Sequence, residues 1–170
     1  SIINYQAGNL RNVQKSIEKF NYEANIISTP NQLKESDAIV LPGVGTFNQG
    51  MKNLYDSGLT EAIKNDVLIN KKPFLGICLG MQLIGKSSTE GKDIEGLNLI
   101  PFSVKRFKNS SDIRIPHIGW NNISQTENSN LFKDIPQEVD FYFVHSYHVT
   151  NINNKYVSAT CNYGYNFVAA

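Results

Sequence analysis

Cysteine is scarce in this chain, with only Cys78 and Cys161 among 170 residues. Two cysteines cannot build a disulfide framework, so the chain reads as cytoplasmic with free thiols. A charge excess is also missing: 16 Lys and Arg stand against 15 Asp and Glu, a formal net charge of +1. That balance excludes, as far as charge can, a polybasic nucleic-acid or membrane-surface protein. No apolar run approaches the roughly eighteen residues of a membrane span. Histidine is limited to His117, His145 and His148. No cysteine or carboxylate is spaced with them as a zinc pattern requires, so neither a metal nor a cofactor is expected. Ser1 to Asn4 reads as a strand and not as a signal peptide, and without an initiator Met the N-terminus reads as trimmed. Asn is abundant and scattered, a compositional bias without low complexity, and no internal repeat is visible.

What the chain does have is an alternation of short apolar runs with helical patterns. Ile2-Ile3-Asn4 runs into the turn-rich Tyr5-Gln6-Ala7-Gly8-Asn9. Leu10, Val13, Ile17 and Phe20 recur at helical spacing and predict one buried stripe. Glu23 to Ile27 and Ala38 to Leu41 read as the next two strands. The second of these is apolar on both faces, as a central parallel strand must be when helices cover both sides, and it stops at Pro42-Gly43-Val44-Gly45. Phe47, Met51 and Leu54 mark one helix, and Leu59, Ile63 and Val67 another. Pro73 to Ile77 reads as a fourth strand, again wholly apolar. This order predicts an α/β fold with an open, mostly parallel sheet and helices on both faces. From about residue 98 helical periodicity disappears. Leu99 to Phe107, Arg114 to Ile123, Phe141 to Val149 and Tyr156 to Cys161 read as strands of an antiparallel extension of one domain over 1–170, and Phe167 opens another. The two-residue period puts Phe141, Phe143 and His145 on one face and Tyr142, Val144 and Ser146 on the other.

The chemistry concentrates in Gly76-Ile77-Cys78-Leu79-Gly80, at the end of a buried strand and before Met81-Gln82-Leu83-Ile84. Gly-x-nucleophile-x-Gly is a nucleophile elbow, in which the strand turns into a helix so sharply that glycines are needed beside the turn. A helix N-terminus behind the thiol predicts a lowered pKa for Cys78. The bland alternative, a small buried core cysteine, leaves the two glycines without a reason. Pro42-Gly43-Val44-Gly45 lies at the carboxyl end of the adjacent apolar strand, where open α/β sheets bind ligands. It fails as a dinucleotide fingerprint, because Asn48 stands where a third glycine is required, and as a phosphate loop, lacking the Gly-Lys-Ser/Thr ending. One amide from this loop and one from Leu79 would make an oxyanion hole. A thiol nucleophile needs a base. His145 and His148, three apart on one strand, fall on opposite faces, and His117 lies between a proline and the single tryptophan. From the residues alone the base is unassigned.

Tyr5-Gln6-Ala7-Gly8-Asn9, Leu41 to Phe47 and Gly76 to Gln82 resemble the class I, triad-type glutamine amidotransferases. Pro116-His117-Ile118-Gly119-Trp120-Asn121 and Phe143-Val144-His145-Ser146-Tyr147 narrow the resemblance to the glutaminase subunits of imidazole glycerol phosphate synthase. The resemblance runs the length of the chain and implies a flavodoxin-like sheet. It also implies that Cys78 attacks the side-chain amide of glutamine, with the amides of Val44, Gly45 and Leu79 as oxyanion donors and Gln82, Ser146 and Tyr147 lining the substrate pocket. A (β/α)8-barrel cyclase would receive the ammonia in a heterodimer, for histidine biosynthesis. His117, Trp120 and Asn121 would face that partner, although a buried aromatic on a strand is the ordinary reading of Trp120.

The family carries a His-Pro-Glu segment supplying the triad's base and its orienting carboxylate. No His-Pro-Glu occurs in these 170 residues, so the domain is expected to lack its C-terminal segment. Two other readings compete. One is a paralogous glutaminase feeding a different synthase, such as a sugar-amidination enzyme. The other is a non-catalytic interaction module on a glutaminase fold.

Overall fold

The chain begins with strand β1 (Ile2–Ile3), helix α1 (Leu10–Glu18), β2 (Ile26–Ile27), α2 (Pro30–Lys34), β3 (Ile39–Gly43) and α3 (Phe47–Asp56). Next come α4 (Leu59–Lys64), which continues as a π-helical turn over Asn65–Ile69, β4 (Phe74–Cys78), α5 (Leu79–Leu83), and the short antiparallel pair β5 (Ser87–Ser88) and β6 (Ile94–Glu95). This computed structural model describes residues 1–91, 94–109, 111, 113–127 and 129–170. It divides into two units, Ser1–Ile100 and Pro101–Ala170. The division falls where the helical periodicity of the sequence ends.

In the first unit β2, β1, β3 and β4 form a parallel sheet in that order. Ile2, Ile3, Ile39 and Leu41 are buried, as runs without a polar position require. Local signals start the helices. Asn9 accepts from Asn12 N–H before α1, Pro30 opens α2, and Thr46 accepts from Gln49 N–H before α3. Two expectations are corrected. The stripe on α1 is only half-buried, and Phe20 lies beyond the end of the helix and is exposed. Likewise β4 is not covered on both faces: Leu75 is 41% exposed and Ile77 nearly as open. Within the described sheet β4 is an edge strand.

The second unit is all strand apart from short turns. It contains β7 (Ser103–Arg106), β8 (His117–Asn122), β9 (Ser124–Gln125), β10 (Asp140–His145), β11 (Tyr147–Thr150), β12 (Ala159–Tyr163) and β13 (Tyr165–Val168). β8 and β10 make an antiparallel ribbon with Trp120 opposite Tyr142 and His117 opposite His145. β7, β11, β13, β12 and β9 are neighbours in an antiparallel arrangement. Phe107, Ile123, Ala159, Cys161 and Phe167 form its core. The expected continuous strand Phe141 to Val149 is broken at Ser146, where the chain leaves β8 and joins β7. That break resets the side-chain alternation. His145 and His148 therefore both pack against Phe107, at ring distances of 5.1 Å and 4.6 Å, instead of facing opposite ways.

Candidate functional site

Cys78 ends β4 with φ 55° and ψ −113° and immediately precedes α5. A β-carbon makes that conformation costly, by about 1–3 kcal/mol, and such strain gathers at active sites. Gly76 and Gly80 are glycines because the turn is tight. A Cβ on Gly80 would overlap the Leu41 carbonyl oxygen, and one on Gly76 would lie 2.7 Å from Gly80 O. The result is an exposed Cys78 at the carboxyl edge of the sheet.

The register of β3 and β4 sets Gly43 directly opposite Cys78, so Val44 and Gly45 continue at the same edge. Gly45 has φ 104° and open space around its α-carbon, so its glycine is required by the backbone and not by crowding. The far end of this loop is held by a residue the sequence reading missed. Glu90 Oε2 accepts from Phe47 N–H at 2.8 Å, placing a carboxylate at the N-terminus of α3. No local pattern could have revealed it, because 43 residues separate the partners. Gln82 lies one turn along α5 from Cys78 and is half-buried. The first unit thus brings Cys78, Leu79, Val44, Gly45 and Gln82 into one region.

The expected lowering of the Cys78 pKa is overturned. Partial removal of the sulfur from water disfavours the thiolate and pushes the pKa above its ordinary value, while the Leu79 N–H pulls it down without cancelling that rise. A five-residue helix carries too small a macrodipole to reverse the balance. Cys161, by contrast, is 2% exposed in the core of the second unit, and burial raises its thiol pKa as well.

Ser146 and Tyr147 sit at the β10–β11 break in the second unit, both partly buried. There the three histidines are committed to one another and to the backbone. His145 Nδ1 donates to Tyr147 O at 2.9 Å, which leaves its Nε2 to accept from His117 Nδ1 at 3.0 Å. His117 Nε2 then accepts from Asn121 Nδ2 at 3.1 Å. His148 Nδ1 donates to Val149 O, and its Nε2 accepts from the Tyr165 hydroxyl. All six ring nitrogens are used. Burial holds every one of these imidazoles below its ordinary pKa, His117 at about 4, where the neighbouring His145 adds to the effect.

His117 is also corrected as a partner-facing residue. It is 2% exposed and stacked between Tyr163 at 3.9 Å and Phe143 at 4.8 Å. Asn121 shares its inward face, because residues two and four apart on a strand point the same way. Trp120 points outward, 71% exposed, edge-on to Tyr142 at 5.6 Å, with Ile118 and Val144 beside them. Among the described residues, no group of three His, Cys, Asp or Glu side chains is placed to hold a metal ion, and no helix is long and apolar enough to cross a membrane.

A thiol on a strained strand-to-helix turn, with a glycine loop beside it in a parallel sheet, is the arrangement of an enzyme that uses a cysteine nucleophile at an elbow. The chain belongs to the class I glutamine amidotransferase family, whose model matches residues 1–170. It is 44% identical over 170 residues to imidazole glycerol phosphate synthase subunit HisH 1 of Campylobacter jejuni, covering all of this chain and 84% of that protein. A subunit of the same name from Methanococcus maripaludis is 43% identical over 98% of this chain and 82% of the relative. The fold matches a crystal structure of a glutamine amidotransferase with TM-score 0.73, 14% identity, and coverage of 96% of this chain and 85% of that one. A glutamine amidotransferase from Thermotoga maritima aligns with TM-score 0.60 and 21% identity over 96% of this chain and 70% of its own.

Proposed function

We propose that this chain is the glutaminase subunit of an imidazole glycerol phosphate synthase, acting in histidine biosynthesis. The single observation that carries the chemistry is the backbone of Cys78, strained at φ 55° opposite Gly43. The Cys78 thiolate adds to the side-chain amide carbon of glutamine, and the carbonyl π electrons move onto oxygen. The N–H of Leu79 and an N–H of the Val44–Gly45 loop hold that oxyanion, a contribution typically worth about 10²–10³ in rate per donor. Collapse breaks the C–N bond, and the nitrogen leaves as ammonia after gaining a proton. Water then hydrolyses the thioester to glutamate and restores the thiol. Gln82 contributes to the glutamine pocket, and Ser146 and Tyr147 are assigned to it by the resemblance.

The base that takes the thiol proton is not one of the three histidines. The first unit contains none, and those of the second have both ring nitrogens engaged.

The ammonia passes to a (β/α)8-barrel cyclase in a cytoplasmic heterodimer, the pair acting as a lyase. The outward face of the β8–β10 ribbon, with Trp120, Tyr142, Ile118 and Val144, is an exposed apolar patch suited to that partner. The test is glutamate release by the subunit alone, with cyclase, and with cyclase plus the acceptor substrate. A large rise on the last addition is expected. No glutamate under any condition would favour a non-catalytic module, and turnover only with another synthase would favour a paralogue.

A further inference from the structure

Tyr5, just beyond β1, is 1% exposed, and its hydroxyl has no hydrogen-bond partner among the described residues. An unpaired buried hydroxyl typically costs about 1–3 kcal/mol, so its retention needs a reason. Its position supplies one. The hydroxyl fills the space in front of the Gly43 α-carbon, so that a Cβ there would overlap it, and the same space is closed by Leu79 Cβ at 3.0 Å and Gly80 N at 3.2 Å. Gly43 is the residue opposite Cys78 and the last before the oxyanion loop. The Tyr5 phenol stays protonated, because burial pushes its pKa above the ordinary value and the nearby Cys78 adds to the rise. It is therefore a standing O–H donor under the start of that loop.

The N–H and C=O of one peptide unit point in opposite directions. Turning the Val44 N–H toward a developing oxyanion therefore turns the Gly43 carbonyl the opposite way, away from the site. A carbonyl buried there without a donor would disfavour the active arrangement. We propose that Tyr5 is a positioning residue for the oxyanion hole, its hydroxyl accepting no role in the resting loop and donating to the Gly43 carbonyl when the Gly43–Val44 peptide turns to aim its N–H at the oxyanion. The inference rests on the glutaminase reading and assigns a further residue to the same site.

The test compares the subunit, in complex with its cyclase and acceptor, with its Tyr5→Phe variant, which loses only the hydroxyl. The expected result is a fall in kcat of about 10- to 100-fold with KM for glutamine unchanged, because the oxyanion exists only in the transition state. Affinity for glutamate γ-semialdehyde should fall in parallel. The thiol adds to its aldehyde carbon, the S–H proton moves to oxygen, and that oxygen occupies the oxyanion position. The rate of Cys78 alkylation and the thermal midpoint should stay within a factor of two and a few degrees of the parent.

An unchanged kcat would overturn the proposal. So would a shift in the alkylation rate, which would tie the hydroxyl to the thiol, or a rise in KM alone, which would tie it to substrate binding. If Tyr5→Phe does not fold, a fluorinated tyrosine at position 5 that strengthens the O–H donor should raise semialdehyde affinity; no change would equally overturn it. If the parent complex itself releases no glutamate, the glutaminase reading fails first, and that outcome is distinct from a defect confined to the variant.

Discussion

His117 Nδ1 lies 3.0 Å from His145 Nε2, in a chain of hydrogen bonds running from the Asn121 amide through both imidazoles to the Tyr147 carbonyl. Each ring uses one nitrogen to donate and the other to accept, a pattern that only neutral imidazoles satisfy. The relay explains why these histidines build the second unit and do not supply a base.

Stability should therefore fall as the solution is acidified. The folded pKa of each histidine lies below its ordinary value near 6.5, that of His117 at about 4. Between those values the unfolded chain binds more protons than the folded one. Stability present above pH 6.5 is then lost as pH falls toward 4. Urea midpoints should hold from pH 7.5 to about 6.5 and decline from there to pH 5, and His117→Phe, which keeps the ring stack, should reduce that decline. A pH-independent midpoint in the parent would remove histidine burial as the cause.

A glutamine-mimicking electrophile should label Cys78 at least about tenfold faster than Cys161, since one is exposed at an elbow and the other is buried. Because the Cys78 pKa is raised, its labelling rate should still be climbing at pH 9, with no plateau near neutrality. Peptide mapping across a pH series checks both statements. Label mainly on Cys161 would sink the nucleophile assignment.

Two glycines should respond differently to a methyl group. Gly80→Ala drives Cβ into the Leu41 carbonyl and should destabilise the first unit by about 1–3 kcal/mol or more, along with loss of activity. Gly45→Ala meets no neighbour but must hold φ 104°. That variant should fold, label at Cys78, and lose partner-stimulated turnover because the loop can no longer aim its amides. Thermal melts beside turnover assays separate the two cases.

Trp120→Ala should weaken association with the cyclase by about 30-fold or more, as a central aromatic anchor does, without slowing Cys78 alkylation. Tyr142→Ala should act in the same direction, since the two rings touch. Titration calorimetry gives the affinities, and equal affinities for parent and variants would move the interface elsewhere.

The four parallel strands of the first unit, the elbow at Cys78 and the glycine loop were legible in the sequence, whereas α2 (Pro30–Lys34) and the β5–β6 pair were not, being too short to show a period. The legible features are local: unbroken apolar runs signal buried parallel strands, and glycines beside a nucleophile signal a turn that other residues cannot make. What only the tertiary structure decided depends on contacts between distant residues. The break at Ser146 arises because one run of chain pairs first with β8 and then with β7, and it cancels the face assignment that simple alternation gives His148. Pairing of β8 with β10 turns His117 inward and Trp120 outward, which no single strand's composition reveals. The Cys78 pKa follows the desolvation of the thiolate at the folded edge and not the short helix behind it. Glu90 at the α3 N-terminus and Tyr5 beneath Gly43 are likewise products of folding, because a hydrogen bond or a close approach across some 40 residues leaves no mark in the spacing of either partner.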